Sequence, residues 1–293
     1  MRPEPDFLRH LVDDAAIFPP GNVPLERAVA EHQEHRAAPY AALVGGFVVS
    51  DTRLADLANL VSADQPLGIN VVVTGGAGAI EPAVRWATRA DGLQLLALEI
   101  ALRDEDDLAR NAARVVAMVG NLRDAVPDAM GEGVAIYVEP PRTPDGPSHG
   151  WLAALDEIAM AGLRLKFRTG GATADAFPST AELAASIDAA LDRETPFKCT
   201  AGLHDAVHHV DPETGFEHHG FLNVLLATRV ALDGGDVQAA LATEEPAGLL
   251  PSPEASASAR RWFTSFGSCS VLDVHEDLVD LGLWTDHQEE GTR

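Results

Sequence analysis

The chain has 293 residues, 46% of them hydrophobic and 5% aromatic, with a formal net charge of −24. That charge argues against nucleic acid or an anionic membrane as a partner, and no run of about 18 apolar residues is present to span a bilayer. The opening MRPEPDFLRHLVDD lacks a basic stretch followed by an apolar one, and Cys199 and Cys269 are too few for a disulfide framework. A reducing cytoplasm is therefore the expected compartment.

Residues 1–40 read as a Pro-punctuated N-terminal extension (LVDDAAIFPPGNVP) followed by a helix over Leu25–Glu34, with Pro24 at its start. From Ala41 an alternation begins. AALVGGFVVS reads as a strand, and Asp51 is placed to cap a helix over DTRLADLANLV. LGINVVVTGG is a second strand, with a helix over Ile80–Arg89. LQLLALEIAL is a third, with a helix over Glu105–Val119. GVAIYVEPP is a fourth, stopped by two prolines, with a helix over Gly150–Met160. LRLKFRTGG and PFKCTAGLH are the fifth and sixth, separated by a helix over Ala181–Leu191. Helices follow at Phe221–Leu232 and Val237–Thr243. A weak strand at Gly248–Leu250, a clearer one at Trp262–Gly267 and a final helix at Asp273–Leu281 complete the count.

Short apolar strands alternating with helices imply βαβ units and a parallel sheet. Eight strands in one unbroken domain over 1–293 predict an α/β protein of the (β/α)8 TIM-type barrel, irregular in its last quarter. A doubly wound open sheet is the alternative. It calls for a Gly-rich phosphate loop after the first strand, whereas Gly45-Gly46 lies inside that strand and no GxGxxG occurs.

The protein has two lysines, Lys166 and Lys198, each near the end of an apolar strand. An arginine stays protonated, whereas a buried amine can lose its proton and act as nucleophile or base. Active sites of such barrels sit at the strand C-termini, and residues at i and i+2 share a face. This parity groups Lys166 with Arg168 and Lys198 with Thr200. It adds Glu99 from the third strand, Glu139 from the fourth and Asn70 from the second, all directed at one mouth. In so acidic a protein, Lys166, Arg168 and Lys198 would form a positive island that attracts a small anionic substrate.

Lys198 is expected as a Schiff-base amine, with Lys166 lowering its pKa. Arg168 would bind the anion, and Glu139 or Glu99 would move protons. Simpler readings are an anion clamp, and buried ion pairs tying neighbouring strands together. Thr169, Gly170 and Gly171 offer backbone N–H groups as a phosphate nest, or only a turn.

The FKCTAG run resembles the strand-six FxKTSTG-type segment of class I aldolases of the deoxyribose-phosphate aldolase kind, whose lysine forms the carbinolamine. KFRTGG is similar to a K-x-x-G-G run on the following strand of those enzymes. The order of the two segments is reversed here, and Glu99 is the nearest candidate for that family's strand-three aspartate. The resemblance implies Schiff-base chemistry at Lys198.

The His-rich loop over 204–220 (within it HDAVHHVDPETGFEHH) holds five of the eleven histidines and is expected over the barrel mouth. His204 is a candidate acid/base, with His218 and Asn223 beside it. His204 and His208 have an i,i+4 spacing that suits a divalent metal. Alternatively the loop is a solvated lid. Asp13-Asp14 could close the bottom of the barrel or reach over its top. Cys199 should face the helices as a packed thiol.

The favoured function is a lysine-assisted lyase of aldolase type, acting on a small anionic carbonyl metabolite without a cofactor. The alternatives are a metal-dependent lyase or hydrolase using Glu99, Glu139 and the His204–His219 loop, and a non-catalytic anion-binding barrel or assembly subunit. Association with further copies of the chain is left open.

Overall fold

A computed structural model describes residues 6–103, 107–128, 130, 133–171, 173–212, 214–245 and 253–285. Eight parallel strands close into a barrel: β1 (Val12–Asp14), β2 (Val44–Ser50), β3 (Leu67–Val73), β4 (Leu93–Ala101), β5 (Ala135–Glu139), β6 (Arg164–Arg168), β7 (Phe197–Thr200) and β10 (Phe263–Ser268). A two-stranded antiparallel hairpin, β8 (His209–Val210) with β9 (Glu217–His218), lies in the segment after β7. The fold is the expected (β/α)8 barrel.

The helices are α1 (Leu25–Ala37), α2 (Leu54–Leu57), α3 (Ile80–Ala87), α4 (Leu108–Ala125), α5 (His149–Met160), α6 (Thr180–Leu191), α7 (Phe221–Leu232), α8 (Val237–Leu241), α9 (Pro253–Arg260) and α10 (Val271–Asp280). Side-chain oxygens of Asp107, Ser148, Ser179, Asp236 and Ser270 accept from N–H groups of the first turn and fix five of the helix starts. No helix among the described residues is long and apolar enough to cross a membrane.

The strands read as near-continuous apolar runs because both faces are covered, by helices outside and by barrel-lining side chains inside. Phe47, Val49, Ile69, Val71, Leu98, Ile100, Val138, Leu165, Phe167, Phe197 and Cys199 belong to the apolar core. Cys199 is the packed thiol expected, its pKa pushed up by burial. The alternate residues line the barrel. There Asp13, Asn70, Glu99, Tyr137, Lys166 and Lys198 are buried, where branched aliphatic side chains are usual.

The eighth strand differs from expectation. It is the N-terminal VDD segment, and the expected strand at Gly248–Leu250 falls outside the described residues. β1 pairs with β10 at Asp13↔Gly267 and with β2 at Val12↔Val44, so residues 12–14 belong to the barrel and not to an extension. The Arg260 guanidinium donates to the carbonyls of Phe7, Arg9, Phe263 and Thr264, stitching the opening segment to the last strand. A three-residue strand has too few positions to show a period of two.

Asp51 also differs. Instead of capping a long helix, its carboxylate accepts from the Thr74 backbone N–H at 3.2 Å and hydroxyl at 2.7 Å, and the helical run behind it ends at Leu57.

Candidate functional site

Inside the barrel six side chains from five strands form one alternating ionic chain. The Lys198 ammonium on β7 donates to Asp13 Oδ2 on β1 and to Glu99 Oε1 on β4, each at 2.6 Å. Lys166 on β6 donates to Glu99 Oε2 at 2.7 Å and to Glu139 Oε2 on β5 at 3.0 Å. Arg168 Nε closes the series on Glu139 Oε1 at 2.9 Å. Asp13 Oδ2 accepts in addition from Ser265 Oγ at 2.8 Å, and Oδ1 from the Gly46 N–H at 3.0 Å. Every carboxylate oxygen in the chain therefore has a donor.

Three carboxylates match three cations, so the group is neutral. The expected positive island is not formed, because parity counted the cations and missed Asp13. Parity did bring Glu99, Glu139, Lys166, Arg168 and Lys198 to one interior. Two contributors were not anticipated. One is Asp13; the other is Tyr137, two residues before Glu139 and on its face. The Tyr137 ring centroid lies 5.3 Å from Lys198 Nζ, and its hydroxyl is held by Thr264 Oγ1 and Arg164. The two-residue offset from Glu139 was the signal that could have found it.

The electrostatics follow from this pairing. Burial alone would lower the Lys198 pKa, but Asp13 and Glu99 outweigh it and the ammonium is stabilised. Burial likewise opposes the Lys166 charge, and Glu99 with Glu139 reverses that. Burial would raise Glu99, but the two ammoniums beside it bring it down to about 2. Glu139 is lowered in the same way by Lys166 and Arg168 against its own burial. The expectation that Lys166 depresses the Lys198 pKa is thus corrected: an intervening carboxylate dominates a like charge on the next strand.

The chain has two ends. Lys198 is 1% exposed and sealed between Asp13, Glu99 and the Tyr137 ring. Arg168, the last residue of β6, has 43% of its side chain exposed, so solvent reaches the group through Arg168 and Glu139. Thr200 is the register partner of Arg168 and half-buried beside it.

Other candidate residues lie elsewhere. His204 Nδ1 is 3.3 Å from Ser268 Oγ, with Cys269 Sγ at 3.8 Å, and burial lowers its pKa; among the described residues no hydrogen bond or ion pair joins it to the ionic chain. His218 stacks on His209 across the hairpin, with Phe177 beside it. Asn223 clamps the backbone at three residues. Its Oδ1 accepts from the His208 N–H at 2.8 Å, and its Nδ2 donates to the carbonyls of Ala240 and Thr243.

One N–H of the expected phosphate nest is already used by the backbone. The Thr169 N–H donates to Thr200 O and its hydroxyl to Ala201 O, while a Cβ on Gly170 would meet Gly202 Cα at 2.7 Å. Gly171 is exposed in the turn that follows. Asn70 faces the barrel interior, but it lines a cavity at the N-terminal ends of the strands and not the mouth near Arg168.

Asp205, His209 and His218 bring one ligand atom each within 4.8 Å of one another, and are the described residues that could hold a metal ion. The oxygens of Glu99 and Glu139 are paired with Lys166, Lys198 and Arg168. No family model matches the chain, and no curated protein matches its sequence.

Proposed function

We propose that this barrel is a lysine-assisted lyase for small carbonyl-bearing anions, with Lys166 and not Lys198 as the attacking amine. One observation carries the reading. Lys166 shares Glu139 with the solvent-facing Arg168, whereas Lys198 is closed off behind Asp13 and Tyr137. Arg168 is placed to receive the carboxylate or phosphate of a substrate, with Thr200 beside it.

The resting lysine is protonated and must lose that proton before it can attack. In a buried neutral pair, moving a proton from Lys166 to Glu139 removes two desolvated charges at once, so expulsion of water by a bound substrate favours the neutral pair. The free amine then adds to the carbonyl carbon, and the carbonyl oxygen takes up the proton held by Glu139. The carbinolamine nitrogen gives a proton to Glu139, which passes it to the hydroxyl, and loss of water leaves an iminium. Its positive nitrogen accepts the electron pair released when the bond between the α and β carbons breaks. The β-hydroxyl gives its proton to Glu139 and that fragment leaves as an aldehyde. The enamine is then protonated and hydrolysed by water to free Lys166. Lys198 stays an ammonium throughout and holds Glu99 ionised beside Lys166.

A second reading rests on the complete pairing of the six groups: the chain is an internal brace, and Arg168 alone binds anions. Borohydride trapping separates the two. Incubation with pyruvate, glycolaldehyde phosphate or glyceraldehyde 3-phosphate and borohydride should add the reduced substrate to the protein. No adduct with any of these, together with anion binding that depends on Arg168, would establish the brace.

A further inference from the structure

A cavity of about 610 Å3 opens at the end of the barrel opposite Arg168. Its walls include Gly45, Leu67, Gly68, Gln94 and Ala135, which lie at the N-terminal ends of β2 to β5, while Arg168 ends β6. The usual barrel site is at the other end, so the ionic chain does not account for this space.

Its floor is made by Asp13, Asn70, Tyr137 and Ser265. Asn70 is 4% exposed, and its amide has no hydrogen bond to any described residue. The amide borders the open space of the cavity, where a ligand could meet it. Glycines make room for it. A Cβ on Gly46 would meet Asn70 Oδ1 at 2.7 Å, and one on Gly45 would meet Asp13 Oδ1 at 2.4 Å.

The charge at this end is set by α1. Arg36 donates to Val44 O at 3.0 Å, and no carboxylate among the described residues pairs with it. Asp13, the one carboxylate in the wall, is neutralised by Lys198. His32 lines the cavity and is tied through Nδ1 to Asp14 Oδ2 at 2.9 Å, which leaves Nε2 to pair with a ligand hydroxyl. Gln33, Gln65 and Gln94 add neutral donors and acceptors around the opening.

We infer that this cavity is a second small-molecule site, for a polyhydroxy carboxylate whose anionic group meets Arg36 and whose hydroxyls meet the Asn70 amide and His32. The volume lies within the usual range for a small-ligand pocket, about 300–1,000 Å3. The inference is independent of the chemistry proposed at Lys166.

Isothermal titration of the full chain with D-gluconate and with L-tartrate tests it. Saturable binding of at least one of them is expected, weakened about tenfold or more by Arg36→Ala and by Asn70→Leu. Gln94→Trp supplies a control for folding, because Gln94 is exposed at the opening and its replacement plugs the cavity without disturbing the barrel core. That variant should keep the wild-type circular dichroism and lose the Arg36-dependent binding. Absence of saturable heat with both anions overturns the inference, as does binding that Arg36→Ala or Gln94→Trp leaves unchanged.

Discussion

Lys166 and Lys198 are register partners on adjacent strands and share a single carboxylate, Glu99, whose two oxygens each take one ammonium at 2.7 and 2.6 Å. Two buried cations side by side would repel strongly; the bridge turns their proximity into cohesion. Asp13 and Glu139 then complete each lysine from its far side.

Removing the bridge should be costly. Glu99→Gln leaves two buried ammoniums facing an amide, and breaking a buried pair in this way costs about 3–5 kcal/mol. The denaturant midpoint should fall accordingly. Asp13→Asn should cost less, because Lys198 retains Glu99 and the Tyr137 ring. Equal losses in the two variants would contradict the central place given to Glu99.

Acid should destabilise the protein in two windows. Burial pushes His219 down to about 4, so its neutral form belongs to the fold; the unfolded chain binds the extra proton first, and stability drops as the pH falls from 6.5 towards 4. Glu99, brought down to about 2 by its lysines, contributes stability that is present above the ordinary carboxylate range and is lost as the pH falls through that range towards 2. Urea midpoints measured from pH 8 to pH 3 should show both losses. His219→Gln should shrink only the first, to which His35, His204 and His218, also lowered by burial, contribute as well.

At high pH the sign reverses. The pKa values of Lys166 and Lys198 are raised by their carboxylates against burial, so their contribution is complete below 10.5 and is lost only above it. Thermal melts should show a loss from about pH 9 that belongs to the buried Cys199 thiol and disappears in Cys199→Ala, and no lysine-linked loss through pH 10. An earlier loss that vanishes in Lys198→Met would show the ammonium to be less well held than its two short contacts require.

Arg168 is half out of the barrel, so Arg168→Ala should leave the melting temperature nearly unchanged. It should raise the substrate concentration for half-maximal borohydride trapping by about tenfold or more, the worth of a charge-assisted contact. A collapse in stability with unchanged trapping would make the arginine a brace and not an anion receptor.

Much of the interior was legible because strand parity is a rigid rule: the positions of Lys166, Arg168, Lys198, Glu99 and Glu139 sufficed to bring them together. Asp13 escaped because VDD is too short to carry a periodic signal, and because its partner strand comes from the far end of the chain. Without that third carboxylate the charge sum came out positive and the Lys198 pKa was expected to fall instead of rise. Asn70 has the face that parity gives it but lies at the other end of the barrel, since parity says nothing about height along the axis. Asn223 and Thr169 carry polar groups that suit a ligand equally well; only their hydrogen bonds reveal that backbone already uses them.

The most direct measurement is peptide mass mapping of the protein after borohydride trapping with the carbonyl anions above. The chain has two lysines, so the adduct can be placed without ambiguity. The reduced substrate should be found on Lys166 and be absent from Lys166→Met, while Lys198→Met still forms it in whatever fraction folds. An adduct on Lys198 with Lys166 unmodified would contradict the account.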